Sequence, residues 1–406
     1  MARPKLRRLE RVELRRGDED LLVLRDPLEL CESIAIDAAY APVLDALDGQ
    51  RTLAQIRQSL LMRGLVDVDL DDLAAFVDDL REAGMLDDER FRGLWAEAHD
   101  AFVEAEVRAP RRAGLLYPEA PADLRAWLAP ALPATTHPRT HAEEGAPSWL
   151  RPPIAVVAAH QPPPAIAASL RRLLAALPDP STYRRVVILA TDHTPGLLPY
   201  ASADKDWATP LGTVACDLEL LAALDARHPW LLREQIRLRL SDPIEWVTLL
   251  LAALWGERCP PVLPIACGQT RLTTAEGASR GRELVDSLLE LLGPATAAGE
   301  VLWWTSAELT HAGAAYGHEH TPTRAQVEGR DRALLDPLLD NQPEVLARRC
   351  MDLEPGARPS GAAALTTLAA ILPDDYRATL IDAEVLPAPG SRPGWIGCPS
   401  LLVRAG

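Results

Sequence analysis

The sequence predicts an α/β protein, in which a large domain of alternating strands and helices follows a small α+β domain. Short apolar runs of the buried-strand type alternate with helical stretches throughout residues 151–406. Residues 1–95 instead group their strand-like segments before their helical ones, and a Pro-rich stretch lies between the two regions. At 406 residues the chain is also too long for a single ordinary core.

In residues 1–95, three strand-like segments precede three helical patterns. The strands are predicted over 6–14, 20–24 and 33–36, and the helices over 39–47, from an N-cap at Thr52 to Leu60, and over 69–83. Gly84 ends the last helix, and Met85-Leu86 opens a short final element. This order of strands, helices and a short wing is typical of a winged-helix domain.

Residues 96–150 are predicted to be a connector between the two domains. The segment is helical up to Val107 and Pro-rich between Pro133 and Pro147. His137 and His141 lie in the Pro-rich part and are expected to be solvated.

The formal net charge of −16 disfavours nucleic acid and anionic membranes as partners. The helix predicted over 69–83 is itself acidic, so it would face DNA phosphates badly. None of the six cysteines forms a C-x-x-C pair and no signal peptide opens the chain, which predicts a reducing, cytoplasmic location. The longest apolar run, 246–255, is too short to span a bilayer.

Three histidines follow strands of the predicted sheet. The strands are predicted over 154–159, 186–190, 262–266 and 301–305. His160 follows the first, His193 follows the second, and His311 follows the fourth after a short loop. In open α/β sheets ligands bind at the carboxyl ends of strands. A lone histidine there is more often structural, but three indicate a cleft where imidazoles and a carboxylate hold Fe(II), Zn or Cu.

Several segments of the large domain, taken in order, resemble the Memo family, component B of the AmmeMemoRadiSam system. Together they cover roughly residues 113–403, and TPLGTVACD at 209–217 is the most specific of them. The others are AGLLYPEAPADLRAWL, VVAAHQPP, RRVVILATDH, DPIEWVTLLLAALW, VLPIACG, VLWWTSAELTHAG and PSGAAALTTLAAIL. The resemblance implies a fold similar to that of class III extradiol dioxygenases, which hold non-haem iron.

The resemblance also implies a set of site residues. The family's metal ligands, two histidines and a cysteine, fall on His160, His193 and Ser360. Serine is a poor ligand for a soft or borderline metal. The sequence therefore leaves three states open: a rewired metal site, an empty vestige, or a pocket used for binding only. Iron or copper is the metal implied for a rewired site, and an empty vestige would hold no metal.

Four further positions differ from the family or keep its residue. The family's histidine before the helix predicted over 243–254 becomes Asp242, and its glutamate is kept as Glu245. The family's aspartate after the fourth strand becomes Glu308, and the histidine that follows it is kept as His311. Two histidines with Asp242 would form a two-histidine, one-carboxylate set that suits Fe(II). Ser360 and Glu245 are then further cleft positions.

Two segments of the small domain, ALDGQRTLAQIRQSL at 46–60 and DLAAFVDDLREAGML at 72–86, resemble the PqqD-like fold, a peptide-recognition element in some peptide-maturation systems. The resemblance implies either a peptide client or an inert docking or dimerising module. A peptide is therefore one expected partner of the small domain.

Three hypotheses for the function follow, and they leave open whether the protein is an enzyme. The first is an accessory or binding protein of the Memo class with a degenerate metal site, acting beside a radical S-adenosylmethionine enzyme and an AMMECR-like protein. The second is a non-haem, metal-dependent oxidoreductase for a small aromatic or peptide substrate. In it His160, His193 and Asp242 bind the metal, and His311 or Glu308 moves protons. The third assigns recognition of a peptide or partner to the small domain.

Overall fold

The computed structural model describes residues 3–65, 68–134, 151–194, 196–353 and 358–406. The chain forms two compact units, Met1–Glu104 and Ala105–Gly406. The first unit extends beyond residue 95 because the helix expected from residue 94 begins earlier and ends at Glu104. His137 and His141 lie outside the described residues.

The first unit is a three-stranded antiparallel sheet followed by helices. Its strands are β1 (Glu10–Arg16), β2 (Glu19–Arg25) and β3 (Ile34–Asp37), in that order across the sheet, and its helices are α1 (Ala41–Ala46), α2 (Leu53–Met62), α3 (Leu70–Glu82) and α4 (Glu89–Glu104). The predicted N-cap is confirmed, since Thr52 and Gln55 form a capping box. Instead of opening a wing strand, Leu86 makes an isolated antiparallel bridge to Leu6 before α4 begins.

The first unit has its own hydrophobic core. Leu22 and Leu24 of β2 share one face of the sheet and pack against side chains of α1, α2 and α3. The alternation of buried and half-buried residues in β2 is what a strand with one covered face requires.

The second unit alternates strands and helices. Its strands are β4 (Val107–Arg108), β5 (Pro153–Ala158), β6 (Arg185–Thr191), β7 (Tyr200–Ser202), β8 (Asp206–Thr209), β9 (Gly212–Val214), β10 (Val262–Cys267), β11 (Val301–Ser306), β12 (His311–Gly313), β13 (Arg377–Pro387) and β14 (Gly394–Arg404). Its helices are α5 (Pro121–Leu128), α6 (Ala167–Ala175), α7 (Leu218–Asp225), α8 (Ile236–Arg239), α9 (Asp242–Trp255), α10 (Thr270–Thr273), α11 (Ala275–Ala297), α12 (Arg324–Leu339), α13 (Pro343–Asp352) and α14 (Ala362–Ile371).

The central sheet of the second unit has the strand order β12-β14-β5-β11-β6-β10-β7, with β13 paired to β14. Strands β5, β11, β6 and β10 run parallel, and β7 and β14 are antiparallel to their neighbours. The α/β prediction is confirmed. All four predicted strands are present, and their carboxyl ends lie at one edge of the sheet.

Helices cover the sheet on both faces, which explains why its strands are apolar throughout. Every residue of β5, β10 and β11 is buried. Helix α14 contacts β6, β10 and β11 and contributes to the main core cluster. Helix α9 also contacts β6 and β11, but its buried side chains do not belong to that cluster, which puts it on the opposite face.

Much of the expected connector is an integral part of the second unit. Strand β4 pairs in parallel with β8, and helix α5 buries Leu124 and Leu128 completely. The prediction of a linker was therefore wrong for residues 105–134, because β4 pairs within the second unit and α5 buries one apolar face. Most of the Pro-rich stretch between Pro133 and Pro147 lies outside the described residues. In the described part of the chain, the helices fall short of the length and apolarity that a bilayer crossing requires.

Candidate metal centre

The carboxyl ends of three adjacent parallel strands bring four of the predicted residues together. His160 follows β5, His193 follows β6, and Glu308 and His311 follow β11, which lies between the other two strands. The loops that carry these side chains therefore start from neighbouring points on the sheet edge.

The side chains in this cluster contact one another directly. The Nε2 atoms of His160 and His193 are 2.9 Å apart. One oxygen of Glu308, Oε2, lies 3.3 Å from His160 Nε2 and 3.1 Å from His311 Nε2. The other oxygen accepts a 2.6 Å hydrogen bond from the side-chain amide of Gln161. Glu308 is thus the carboxylate of the cluster, with both oxygens engaged.

Burial shapes the protonation of the cluster. The side chains of His160 and Glu308 are 7% and 3% exposed, so burial lowers the pKa of His160. Burial alone would raise the pKa of Glu308, but attraction to His160 and the hydrogen bonds from His311 and Gln161 lower it. Desolvation and the neighbouring His160 lower the pKa of His193, and attraction to Glu308 and Asp192 partly offsets this lowering. The expected state at neutral pH is an ionised Glu308 with His160 and His193 neutral.

The contact between His160 Nε2 and His193 Nε2 limits these two nitrogens to a single hydrogen between them. Two nitrogens 2.9 Å apart cannot both carry a hydrogen, so one donates and the other accepts. The remaining ring nitrogen of His160, Nδ1, is buried and has no hydrogen-bond partner among the described residues. His160 is therefore held from one side only.

His160, His193 and Glu308 carry the kinds of donor atom that hold divalent metals in proteins, although no group of three or more metal ligands is already formed among the described residues. Imidazole nitrogens bind Zn at about 2.0–2.1 Å, so two nitrogens on one zinc ion are roughly 3.0–3.4 Å apart for bond angles between 90° and the tetrahedral value. The 2.9 Å separation of the two Nε2 atoms is close to the lower end of that range. A metal ion would take the place of the shared proton, with a carboxylate next to it.

Asp242 and Glu245 lie in a different cluster, at the start of α9. Asp242 forms a 2.6 Å ion pair with Arg112 Nε. The buried Glu245 pairs with Arg108 and accepts a 2.6 Å hydrogen bond from the Tyr117 hydroxyl. The arrangement differs from the expected set of His160, His193 and Asp242, because the start of α9 faces residues 108–117 and Glu308 is the carboxylate that contacts the histidine.

The backbone around Ser360 is hydrogen-bonded to the backbone of Glu308, through the amide of Gly361. The amide of Gly361 donates a 3.0 Å hydrogen bond to the carbonyl of Glu308, and Gln269 donates a 2.9 Å bond to the carbonyl of Ser360. The Ser360 hydroxyl is buried without a partner in the described part of the chain. The position implied for the family's cysteine therefore adjoins Glu308 but offers a weak ligand atom.

Two groups near the cluster were not anticipated from the sequence. Gln161 holds the second oxygen of Glu308, and the signal for it was its place directly after His160. Arg237 is buried against Asp192, the residue before His193. No sequence pattern pointed to Arg237, since it lies 45 residues from Asp192 in a short helix of its own.

Comparisons with known proteins place these observations in a family. A family model described as "Memo-like protein" matches residues 108–353, which include both histidine loops and Glu308 but not Ser360. The chain is also 21% identical over 305 residues to a "MEMO1 family protein" from Aquifex aeolicus (strain VF5), covering 74% of this chain and 75% of that protein. The family match begins at Arg108 and leaves the first unit outside it.

Proposed function

The chain belongs to the Memo-like protein family, and we propose that its second unit binds a divalent metal ion through His160, His193 and Glu308. The observation that carries the proposal is the 2.9 Å contact between the two imidazole Nε2 atoms, with the Glu308 carboxylate against one of them. This set has two histidines and one carboxylate, as in non-haem iron proteins.

Glu308 suits the role of the third ligand better than Asp242 or Ser360. Its oxygen reaches the His160 ring, whereas Asp242 is engaged with Arg112. A carboxylate is also a harder donor than a thiolate, so the expected preference is for Fe(II) or Zn(II) over Cu(I). An iron(II) ion held this way would supply open coordination positions for a substrate and an oxidant.

His311 is the candidate proton carrier beside the ligand set. Its Nε2 lies 3.1 Å from Glu308 Oε2, and its Nδ1 faces the carbonyl of Leu309 at 3.2 Å. The ring is partly exposed, at 23%, and stands perpendicular to the Tyr316 ring. A group with one end on the carboxylate and access to water is able to exchange protons with a bound substrate.

Metal analysis of full-length protein purified without chelators tests the proposal. After anaerobic loading with Fe(II) and desalting, wild type should retain close to one ion per chain. His160→Ala, His193→Ala and Glu308→Ala should retain far less, and Asp242→Asn, the matched carboxylate outside the cluster, should behave as wild type. Loss of metal in Asp242→Asn with retention in Glu308→Ala would overturn the assignment.

Oxygen uptake by the loaded protein separates an oxidoreductase from a metal-binding accessory. Uptake stimulated by a small catechol or a peptide, and lost in His193→Ala and His311→Ala, supports an enzyme. Metal binding without any uptake supports the accessory role.

An accessory role in an AmmeMemoRadiSam-type system is the second candidate, favoured by the serine at position 360. A site without the family's thiolate, and a first unit with a separate core, suit a protein that presents or docks a partner. Co-expression of the full chain with the radical S-adenosylmethionine enzyme and the AMMECR-like protein of the same genome tests it. A stable complex that is weakened by Val12→Asp on the exposed strand β1 supports docking through the first unit.

A further inference from the structure

Arg237 lies buried where the loops after β6 and β10 meet. Its side chain is 2% exposed. The guanidinium donates from Nε to Asp192 Oδ2 at 2.7 Å and from Nη1 to the carbonyl of Leu198 at 2.9 Å. Nη1 also pairs with Glu234 Oε2 at 2.6 Å. One cation therefore holds two carboxylates and a backbone carbonyl.

The same network forms hydrogen bonds to the loop of His193 both before and after the histidine. Asp192, directly before the histidine, accepts the amide of Thr194 at 2.8 Å while it pairs with Arg237. Farther along, Glu234 accepts the amides of Leu197 and Leu198 at 2.9 and 3.0 Å. The backbone of His193 is thus tied down through residues before and after it.

Two glycines make the slot in which the guanidinium lies. A Cβ atom at Gly196 would be 2.6 Å from Arg237 Cζ, and one at Gly268 would be 2.7 Å from Nη2. Neither distance is tolerated by real side chains, so the loops approach Arg237 closely only because both residues lack a side chain. The two loops therefore pack directly against the guanidinium.

His193 itself depends on this support. The residue is exposed to solvent, and among the described residues the polar contact of its ring is His160 Nε2. A ring with one polar partner has its position set mainly by its backbone. Outer residues that orient a metal ligand typically change metal affinity about 10–100-fold when removed.

We infer that Arg237 is a positioning residue: through Asp192 and Glu234 it holds the loop of His193 so that this ring faces His160. The expected effect of Arg237 on metal affinity rests on the proposed function. Lysine carries the charge but lacks the planar fork, so it cannot serve Asp192, Glu234 and the Leu198 carbonyl at once. The expected order of metal affinity is wild type, then Arg237→Lys, then Arg237→Gln.

The test measures Co(II) affinity and the visible Co(II) spectrum of the full chain. Arg237→Gln should bind about 10–100-fold more weakly with an altered spectrum, and Arg237→Lys should recover part of both. Gly268→Ala, which presses on the guanidinium without removing it, should weaken binding in the same direction. The matched control is Arg227→Gln, which breaks an exposed pair with Glu290 and should bind as wild type.

A metal-free readout keeps this inference separate from the proposed function. Ring-nitrogen NMR of His193 and His160 should show the shared proton in wild type and a more solvent-like His193 ring in Arg237→Gln. If wild type binds no metal, the proposed function fails and the ring signals alone decide the role of Arg237. Unchanged ring signals, or unchanged Co(II) affinity and spectrum in folded Arg237→Lys and Gly268→Ala, overturn the inference.

Discussion

Replacing Glu245 by alanine removes the acceptor around which residues 108–117 fold onto helix α9. The Glu245 side chain is 2% exposed and pairs with Arg108, which is 1% exposed. It also accepts the amide of Arg112 at 2.9 Å and the hydroxyl of Tyr117 at 2.6 Å. The variant leaves a buried cation, an amide and a hydroxyl without their acceptor.

The expected loss in the free energy of unfolding is about 3–5 kcal/mol, the usual cost of removing one partner from a buried ion pair. Glu245→Gln keeps the shape and one acceptor oxygen but loses the charge, and should cost about 1–3 kcal/mol. An exposed ion pair serves as the comparison for this loss of stability. Glu328→Ala, whose partner Arg324 is 58% exposed, should cost less than about 0.5 kcal/mol.

Urea unfolding followed by tryptophan fluorescence measures these differences in the second unit. Trp95 is the one tryptophan before residue 105, so the signal comes almost entirely from the second unit. Folded Glu245→Gln should also keep the metal content of wild type, because its carboxylate belongs to a different cluster from Glu308. A loss below about 1 kcal/mol for Glu245→Ala, with an unchanged dependence of the free energy on urea concentration, would contradict this prediction.

Three further outcomes follow from the same structure. The pKa of Glu308 is lowered to about 2 from 4.5. The contribution of the ionised carboxylate to the free energy of unfolding is therefore complete above pH 4.5 and is lost as the pH falls toward 2. Urea unfolding of metal-free protein should show this loss of stability, and in Glu308→Gln the loss should be absent. Zn(II) at a hundredfold excess over its Kd should raise the free energy of unfolding by about 2.7 kcal/mol, and His193→Ala should abolish the gain. Gly397→Ala should destabilise by about 1–3 kcal/mol, since its Cβ would lie 1.8 Å from Asp331 Oδ2; Gly329→Ala, exposed in α12 with open space around it, should instead be neutral or stabilising by up to about 1 kcal/mol.

The elements that depend on local chemistry could be predicted from the sequence. The four apolar runs became β5, β6, β10 and β11 within a residue or two at each end. Thr52 caps its helix, and Gly84 ends the next one with φ +73°, a conformation that glycine adopts freely. These features are encoded within a few neighbouring residues, so no knowledge of distant contacts was needed.

The packing of residues 105–134 into the second unit could not be predicted from local sequence. The segment after Val107 was expected to be part of a connector, yet Arg108 makes a buried ion pair with Glu245, 137 residues away. Composition reports how a segment behaves alone. It does not report a charged partner that folding brings to it from another part of the chain.

The α/β class, the family resemblance and the two histidines at one edge of the sheet could be predicted from the sequence, because strand pattern and chain order indicate which loops share a sheet edge. The packed structure was needed to show that Glu308, rather than Asp242, lies against His160, and that Arg237 contacts the loop of His193. The reason is physical: which carboxylate reaches an imidazole depends on the direction in which a helix start or a loop faces. Packing of the whole unit sets that direction, and spacing along the chain does not.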